Sequence, residues 1–232
     1  MSDVAIIGAT GNQGYGLALR WALAGKSITI GSRDQERAAA AAAKLRGVIV
    51  GAGKPEPEIV GLENGDAVAE APVVVVSVPL AAQISTMKAI KDRIRPGTLL
   101  IDVTVPLATA IGGRASRMLS VPAGSAAEQL AEYAPAGVQV MSAFHFLSAE
   151  LLAEIGPEGP LSLDCDALAC GGDPAAQATV RELAEAIAGV RYLHVGPLVA
   201  SRLVEAAATM LIAINIRHKR HSAGMRVTGI ER

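Results

Sequence analysis

The chain has 232 residues, of which 51% are hydrophobic, and its formal net charge is −1. This length fits one compact domain, or one domain with a small second one, around a sizeable core. The near-neutral charge and the few aromatic residues (one Trp, three Tyr, two Phe) argue against a protein that binds nucleic acid. The two cysteines, Cys165 and Cys170, fit no zinc pattern, so we interpret them as buried thiols and expect no metal site.

The chain begins almost directly with a β-rich segment and shows no basic, cleavable leader, so we expect a cytoplasmic protein. The lipid-like stretch at residues 206–216 is too short to span a bilayer and directly follows Arg202 and Glu205. We therefore interpret this stretch as a packed helix and expect no membrane partner.

Short apolar runs alternate along the chain with alanine-rich segments. Strands are predicted at residues 4–8, 27–31, 73–78, 99–103 and 138–142, with weaker ones at 167–170 and 192–195. Helices are predicted at residues 14–24, 35–45, 81–92, 126–133, 174–188 and 200–216, and loops at 51–58 and 156–160. Apolar strands with helical crossovers indicate an α/β fold, a Rossmann-type doubly wound parallel sheet with a small, mainly helical C-terminal part.

The first predicted strand runs into a glycine-rich turn, DVAIIGATGNQGYG, at residues 3–16. A strand, G-x-x-G-x-x-G and a helix form a variant of the dinucleotide-binding fingerprint. Glycines let the main chain approach a pyrophosphate closely, and the helix N-terminus offers free N–H groups. The candidate pyrophosphate contacts are Thr10, Gly11, Asn12 and Gln13.

The second predicted strand ends in TIGSRDQER, and this end indicates which dinucleotide binds. NAD sites usually have Asp or Glu at the tip of this strand, to bind the ribose hydroxyls. Here Ser32 and Arg33 occupy the tip, and Arg37 lies one helical turn further on. A hydroxyl and two guanidinium groups would bind a 2′-phosphate, so the sequence favours NADP. Asp34 comes one place late and is also a plausible N-cap; the arginines could alternatively be solvated surface charges.

The third and fourth strongly predicted strands both end in a Val-Pro dipeptide, within VVVVSVPLAAQ and LLIDVTVPL. In a doubly wound sheet, ligands lie beyond the carboxyl ends of the strands. We therefore expect Ser77, Val78 and Val105 to lie beside the ribose and nicotinamide, although each proline could simply end a strand. A short-chain dehydrogenase scheme is excluded, because no lysine lies four residues after Tyr15, Tyr133 or Tyr192.

Five segments of the chain, in this order and spacing, resemble the F420-dependent NADP reductases: IGATGNQGYGLALRWALAG, IGSRDQERA, VVSVPL, VMSAFHFLSAELL and GPLVASRLVEAAATMLIAINI. The resemblance implies reversible hydride transfer between NADP(H) and the deazaflavin of coenzyme F420. It also implies a homodimer in which the nicotinamide and deazaflavin rings stack between an NADP-binding Rossmann domain and a smaller C-terminal domain. We place the boundary near residue 145, which gives residues 1–145 and 146–232; alternatively, the strands at 167 and 192 extend the first sheet and leave only the final helices as a cap.

The resemblance also assigns residues. It matches Thr10, Gly11, Asn12 and Gln13 to the pyrophosphate loop and Ser32, Arg33 and Arg37 to the 2′-phosphate cluster. It implies that Leu80 and Ile84 lie beside the NADP ribose and ring, that His145, Leu147 and Ala149 lie under the two rings, and that Ser201 and Arg202 lie near the deazaflavin. Phe146 and Ser148 depart from the threonine and proline that the family pattern leads us to expect.

Hydride transfer between two bound rings requires alignment and water exclusion but no protein nucleophile, so we predict no obligatory catalytic acid or base. His145 is either a hydrogen-bonded structural residue or a residue that positions the deazaflavin. The basic residues 217–221 are either a solvated helix end or a contact for the anionic tail of F420. Two rival functions stay open: an NADPH-dependent reductase of another acceptor, such as an imine or a flavin, and a non-catalytic NADP-binding redox sensor.

Overall fold

The computed structural model describes residues 2–156 and 159–230; residues 157 and 158 of the predicted loop at 156–160 lie outside the described residues. The strands are β1 (Val4–Ile7), β2 (Ile28–Ser32), β3 (Ile59–Glu63), β4 (Val73–Val76), β5 (Leu99–Asp102), β6 (Gln139–Ser142), β7 (Ile155–Gly156), β8 (Gly159–Pro160), β9 (Cys165–Gly171) and β10 (Val190–Gly196). The helices are α1 (Asn12–Leu23), α2 (Gln35–Gly51), α3 (Asn64–Ala69), α4 (Leu80–Ile90), α5 (Ala126–Tyr133), α6 (Ala149–Ala153), α7 (Pro174–Glu185) and α8 (Ser201–His218).

Eight strands form one sheet in the order β3-β2-β1-β4-β5-β6-β9-β10. The first six in this order are parallel, β9 is antiparallel to β6, and β10 is parallel to β9. The order 3-2-1-4-5-6 is that of a Rossmann sheet. The predicted fold, a doubly wound parallel sheet with α/β connections, is confirmed.

Helices cover both faces of the sheet, because side chains alternate between the faces along each strand. In β1, Val4 and Ile6 join the core cluster under α1, α2 and α7, whereas Ala5 and Ile7 join the cluster under α3, α4 and α5. A third cluster on the second face holds α8 against β9 through Cys170 and Val204. The carboxyl ends of the parallel strands are left open at one edge.

The structure contains a strand and a helix, β3 and α3, that the sequence analysis does not predict. Strand β3 has Gly61 at its centre, where a side chain would be expected. A Cβ atom on Gly61 would lie 2.2 Å from the main-chain carbon of Ala38, so only glycine lets α2 pass this close. Helix α2 also runs six residues beyond its predicted end, because Leu45 and Ile49 continue its buried face.

The two weaker predicted strands, β9 and β10, belong to the main sheet. A division of the chain at residue 145 therefore cuts between β6 and β9 within a single sheet. The part of the described chain beyond the sheet consists of α8, a short 3₁₀ helix before it (Leu198–Ala200) and the tail after it. This is the smaller of the two arrangements that the sequence leaves open.

A buried arginine joins α1 to the segment after α6. Arg20 is 2% exposed, and its guanidinium donates hydrogen bonds to four main-chain carbonyls. Two of these carbonyls belong to Leu152, at 2.8 Å from Nε, and Leu161, at 2.5 Å from Nη1. Hydrogen bonds from this one side chain to main-chain carbonyls therefore fix the segment that carries α6, β7 and β8 to α1.

Candidate functional site

Two adjoining cavities lie at the carboxyl ends of the parallel strands, where ligands bind in doubly wound sheets. We call the one between β1, β2 and α4, about 290 Å³, the nucleotide cleft. We call the one between β4, β5, the turn after β6 and α8, about 440 Å³, the apolar cleft. The two clefts share four of their lining residues, so a ligand can extend from one cleft into the other. These residues are Gly11, Ser77, Val78 and Pro79.

The glycine-rich turn forms a cradle that has no room for side chains. Gly8 has a φ of 91°, and a Cβ there would lie 2.3 Å from the carbonyl oxygen of Ser77. A Cβ on Gly14 would lie 2.8 Å from the Cα of Ala9. Helix α1 then begins at its N-cap Gly11 with no side-chain cap and no acidic residue in its first turn. Its free N–H groups and positive dipole end fit a pyrophosphate.

The tip of β2 supplies the second anion-binding group. Ser32, Arg33 and Arg37 all line the nucleotide cleft. Asp34 also lines it, but its carboxylate caps α2, accepting from the N–H groups of Glu36 at 2.9 Å and Arg37 at 3.1 Å. Within the described chain, neither guanidinium has an ion-pair partner. Two unpaired guanidinium groups beside a hydroxyl fit the 2′-phosphate of NADP.

Asn64, at the start of α3, is a nucleotide-cleft residue that the sequence analysis missed. Its side chain is 6% exposed, and its Oδ1 has no hydrogen-bond partner in the described part of the chain. A buried carbonyl oxygen without a partner is costly unless a ligand donates to it. Asn64 was missed because β3 and α3 were missed; a search for the third strand of a 3-2-1-4-5-6 sheet would have found this segment.

The apolar cleft is walled by elements from both ends of the chain. Its floor is made by residues at the ends of β4 and β5, including Val78, Val103 and Val105. The segment 145–149 forms one part of its wall, and α8 with the tail that follows it forms another. The lining residues that the sequence analysis did not single out as contacts are Pro79, Val103, Thr104, Leu107, Phe146, Ser148, Leu211, Ile212, Asn215 and Ala223.

A tight turn after β6 points His145 into the apolar cleft. Phe144 has a φ of 67°, unusual for a bulky residue, and is fully buried with its ring edge-on to Trp21 at 5.4 Å between centroids. Gln13 donates from Nε2 to the carbonyl oxygen of Phe144 at 3.2 Å. The Gln13 side chain, predicted as a phosphate donor, therefore connects the pyrophosphate loop to this turn.

His145 is partly exposed as a residue, but both of its ring nitrogens are covered and have no hydrogen-bond partner among the described residues. Burial lowers the pKa of His145 to about 4, and the nearby main chain of Thr104 offsets this only in part. The ring is therefore neutral at physiological pH. A neutral imidazole with no partner can hydrogen-bond a bound ring but cannot supply a charge.

We expect the contribution of His145 to the stability of the folded protein to become unfavourable as the pH falls from about 6.5 towards 4, because the unfolded chain then takes up a proton that the folded His145 does not. His145→Gln should remove this part of the pH dependence, whereas His218→Gln, on an exposed histidine, should not. Urea unfolding from pH 4 to 8 measures this. An imidazole titration of His145 near pH 6.5, followed by NMR, would contradict it.

Four of the candidate residues line neither cleft. Leu80 and Ile84 lie on α4, whose cleft-facing residues are Ala82 and Thr86; positions two apart on a helix point about 200° apart. Ser201 is fully buried, with its hydroxyl 2.7 Å from that of Ser142.

The remaining candidate, Arg202, is held on the far side of α8. Its Nε and Nη2 donate to Glu128 at 2.8 and 2.7 Å. Helix α8 reaches the apolar cleft only through its C-terminal half, which begins about 15 Å along the axis from Ser201. Ser201 and Arg202 therefore do not line the apolar cleft of a single chain, and their predicted contact with the deazaflavin stays a prediction.

The basic residues 217–221, at the end of α8 and just after it, differ in whether they line the apolar cleft. His221 lines the apolar cleft, its carbonyl oxygen accepts from Ser148 Oγ at 2.9 Å, and its Nδ1 is 3.4 Å from Glu150. Arg217, Lys219 and Arg220 are exposed and do not line it. The tail therefore contributes His221 and Ala223 to the lining of the cleft, whereas its exposed cations lie outside that lining.

A Rossmann sheet, a glycine cradle and a positively charged strand tip define a dinucleotide-binding protein of the oxidoreductase type. The family model described as NADP oxidoreductase, coenzyme F420-dependent, matches residues 3–106. The F420-dependent NADP reductase of Methanothermobacter thermautotrophicus is 42% identical over 228 residues, covering 98% of this chain and 95% of that protein. That of Methanocaldococcus jannaschii is 41% identical, covering 98% and 99%. The chain belongs to the F420-dependent NADP reductase family.

Solved structures share the fold. A protein of Arthrobacter sp. FB24, named as an F420-dependent NADP reductase, superposes with a TM-score of 0.78 at 22% identity and covers 98% of this chain and 100% of its own. A reductive aminase of Aspergillus terreus in complex with NADPH superposes with a TM-score of 0.62 at 16% identity, over 94% of this chain and 63% of its own. At these identities the likeness is one of fold alone.

Proposed function

We propose that this protein transfers a hydride reversibly between NADP(H) and the deazaflavin of coenzyme F420. The observation that supports this most is the junction of the two clefts, where the nucleotide cleft with its unpaired arginines opens into an apolar cleft at Ser77 and Val78. Relatives 40–42% identical over 98% of the chain are F420-dependent NADP reductases by name.

Each cleft has its own task. In the nucleotide cleft, the N-terminus of α1 holds the pyrophosphate, and Ser32, Arg33 and Arg37 hold the 2′-phosphate. In the apolar cleft, Val78, Val105 and Leu147 enclose the reacting rings, with His145 and Ala149 at the edge. The two cofactors, once bound, supply the hydride donor and acceptor carbons. The chain contributes alignment and the exclusion of water.

Mixing the purified protein with NADPH and F420 tests this function directly. We expect the absorbance of NADPH and that of oxidised F420 to fall together. The amounts of the two cofactors that are consumed should be in a one-to-one ratio. Binding of NADPH without turnover would support the redox-sensor alternative. Turnover with an imine or a flavin, and none with F420, would support a reductase of another acceptor, a function that the shared fold of the reductive aminase leaves open.

We also propose that two copies of the chain form a homodimer through the outer face of α8. Leu203, Met210 and Ile214 lie on one stripe of this helix and are 71%, 48% and 41% exposed. The stretch Leu198–His218 is long and apolar enough, by length and composition alone, to cross a bilayer, and 33% of an apolar 18-residue part of it is buried in the protein. A second copy covering this stripe in a cytoplasmic protein accounts for it, because water-exposed apolar stripes of this size mark interfaces.

A charge placed in the stripe should break the dimer. We expect Met210→Glu to run as a monomer in size exclusion with light scattering, because each copy would bury a carboxylate without a cationic partner in the interface. Ile111→Glu, a change of similar size on an apolar side chain that is 72% exposed and outside the stripe, should leave the dimer intact. A wild-type protein that is monomeric at micromolar concentration would contradict the proposal.

A functional division near residue 145 remains part of this proposal. Residues 1–145 would bind NADP, and residues 146–232 would complete the F420 cleft. The lining residues support this division, since the nucleotide cleft is lined only by residues 7–86, whereas the apolar cleft adds the turn after β6, α8 and the tail.

A further inference from the structure

The C-terminal tail, residues 219–230, lines part of the apolar cleft although it forms neither a helix nor a strand. Its main chain therefore has no regular pattern of hydrogen bonds of its own to hold it in place. His221 and Ala223 nevertheless belong to the lining of the cleft. Their position depends on the contacts that the tail makes with the rest of the fold.

Close to the cleft, the tail is held by residues that themselves line it. Ser148 Oγ donates to the carbonyl oxygen of His221 at 2.9 Å, and Asn215 Oδ1 accepts from the N–H of Ala223 at 3.0 Å. Ala223 and Met225 also pack, half-buried, against the apolar cluster between α8 and β9. Both hydrogen bonds join neutral groups, so at this end the tail is attached weakly.

Asp166, near the start of β9, makes a stronger attachment. Its side chain is fully buried, and its Oδ2 accepts from the N–H of Val227 at 2.7 Å. Its own N–H donates to the carbonyl oxygen of Met225 at 2.8 Å. One residue of the sheet thus binds the main chain of the tail on both sides of Arg226. Because Ala223 is only four positions before Val227, this attachment restricts where Ala223 can lie.

Two arginines surround the same carboxylate and also involve the tail. Arg191 donates to Asp166 from Nε at 2.9 Å and from Nη2 at 2.7 Å, and its Nη2 donates to the carbonyl oxygen of Val227 at 2.6 Å. Arg226, in the tail, donates from Nη1 to Asp166 Oδ1 at 3.3 Å. We call Asp166, Arg191 and Arg226 the tail clamp. All of these partners donate to an ionised carboxylate, so an amide in its place would lose most of the attachment.

The tail clamp lies at the open edge of the sheet, where the two clefts are. Strand β9 is antiparallel to β6, and the end of β6, Ser142, pairs with Cys170 near the end of β9. The first residues of β9, Cys165 and Asp166, therefore extend past the carboxyl ends of the parallel strands. No step of the hydride transfer described above uses the clamp.

We propose that Asp166 is a positioning residue for the acceptor: through the tail clamp it holds His221 and Ala223 in the wall of the apolar cleft, where the tail encloses the deazaflavin. Loss of the clamp frees the tail, so the deazaflavin binds less tightly. NADPH binding changes little, because the nucleotide cleft is lined by residues 7–86. The consequence for the deazaflavin rests on the proposed function; the attachment of the tail does not.

Asp166→Asn tests the proposal through two binding constants. The Kd for oxidised F420, measured by deazaflavin fluorescence, should rise about tenfold, as the loss of one charge-assisted attachment predicts. The Kd for NADPH, measured by its own fluorescence, should change less than about twofold. Asp173→Asn is the matched control, because this carboxylate caps α7 and accepts from Ala176 and Gln139 rather than from the tail. It should leave both constants unchanged.

Hydrogen exchange without either cofactor measures the attachment itself. In Asp166→Asn, we expect the amides of residues 221–230 to exchange about tenfold faster than in the wild type, since the N–H of Val227 loses its acceptor. Should Asp166→Asn fail to fold, Arg226→Ala serves instead. It leaves the pair of Asp166 with Arg191 in place and should give smaller shifts in the same directions.

A disulfide between the tail and β9 provides a reversible rescue. A Cβ atom on Gly224 would lie 2.9 Å from the Cβ of Cys165, a free buried cysteine. An outward shift of the tail by about 1 Å brings the two to disulfide geometry. In Asp166→Asn/Gly224→Cys, oxidised glutathione should restore F420 binding to within about twofold of the wild type, and dithiothreitol should reverse this. Asp166→Asn alone should respond to neither reagent.

The possible results separate the attachment, its role and the proposed function. Tail exchange in Asp166→Asn that stays at the wild-type rate would overturn the clamp. Faster exchange with an unchanged Kd for F420 would overturn the positioning role. A wild type that does not bind F420 would overturn the proposed function and the role of the tail in enclosing the deazaflavin, and the exchange rates would still decide whether Asp166 attaches the tail.

Discussion

Removing both arginines at the tip of β2 should abolish the preference for NADPH. In an Arg33→Ala/Arg37→Ala variant we expect the KM for NADPH to rise about 100-fold, since each charge-assisted hydrogen bond to a phosphate contributes about 1.5 kcal/mol, or about tenfold. The KM for NADH should change less than about twofold, because NADH has no 2′-phosphate. Steady-state kinetics with F420 as acceptor measure both values.

The matched control is Arg114→Ala, which removes an exposed arginine that lines neither cleft. It should leave both KM values unchanged. Raising the salt concentration should weaken NADPH binding to the wild type and have little effect on the double variant, because the interaction is between exposed charges. An Arg33→Ala/Arg37→Ala variant that still prefers NADPH would place the 2′-phosphate elsewhere.

Arg20→Ala, which removes a buried charged side chain, should destabilise the fold strongly. We expect the free energy of unfolding to fall by about 3–5 kcal/mol, because four carbonyls lose their donor and a buried volume is left empty. Urea denaturation measures the loss. The segment after α6 should also become sensitive to proteolysis, since Arg20 is what fixes it to α1.

Two further variants show whether burial is the cause. Arg20→Lys keeps the charge but has too few donors for four carbonyls, so its loss should be intermediate. Arg93→Ala removes an arginine whose ion pair with Asp66 is more than half exposed, and it should cost less than about 1 kcal/mol. Equal losses for Arg20→Ala and Arg93→Ala would show that the buried contacts contribute little.

The elements that could be predicted from the sequence are those in which local chemistry and burial agree. Helix α5 has the bounds that the sequence predicts, Ala126–Tyr133, and in the structure Ser125 caps it, accepting from the N–H of Glu128 at 3.1 Å. Strand β3 is not predicted because Gly61 interrupts its apolar pattern. Glycine is required there because α2 packs closely against β3, and a tertiary contact of this kind leaves no local pattern in the sequence. The weak strands β9 and β10 were found, but only the pairing showed that they continue the sheet.

The candidate site shows the same division. The glycine cradle and the arginines of β2 could be predicted because the residues of each motif are neighbours in the sequence and therefore lie close together in space. The wall formed by Leu211 and Ile212 depends on how an 18-residue helix crosses the sheet, which no local pattern states. The contact of Glu205 with the N–H groups of Ala126 and Ala127 joins residues far apart in the sequence, so it could be found only in the folded chain.

The most direct measurement of the central claim is isotope transfer from labelled NADPH. The protein is incubated in ordinary water with NADPH carrying deuterium at the transferable position of the nicotinamide, together with oxidised F420. Direct transfer between rings enclosed in the apolar cleft predicts that each reduced deazaflavin carries one deuterium atom from NADPH. Reduced deazaflavin without the label, or label released into water, would contradict the account.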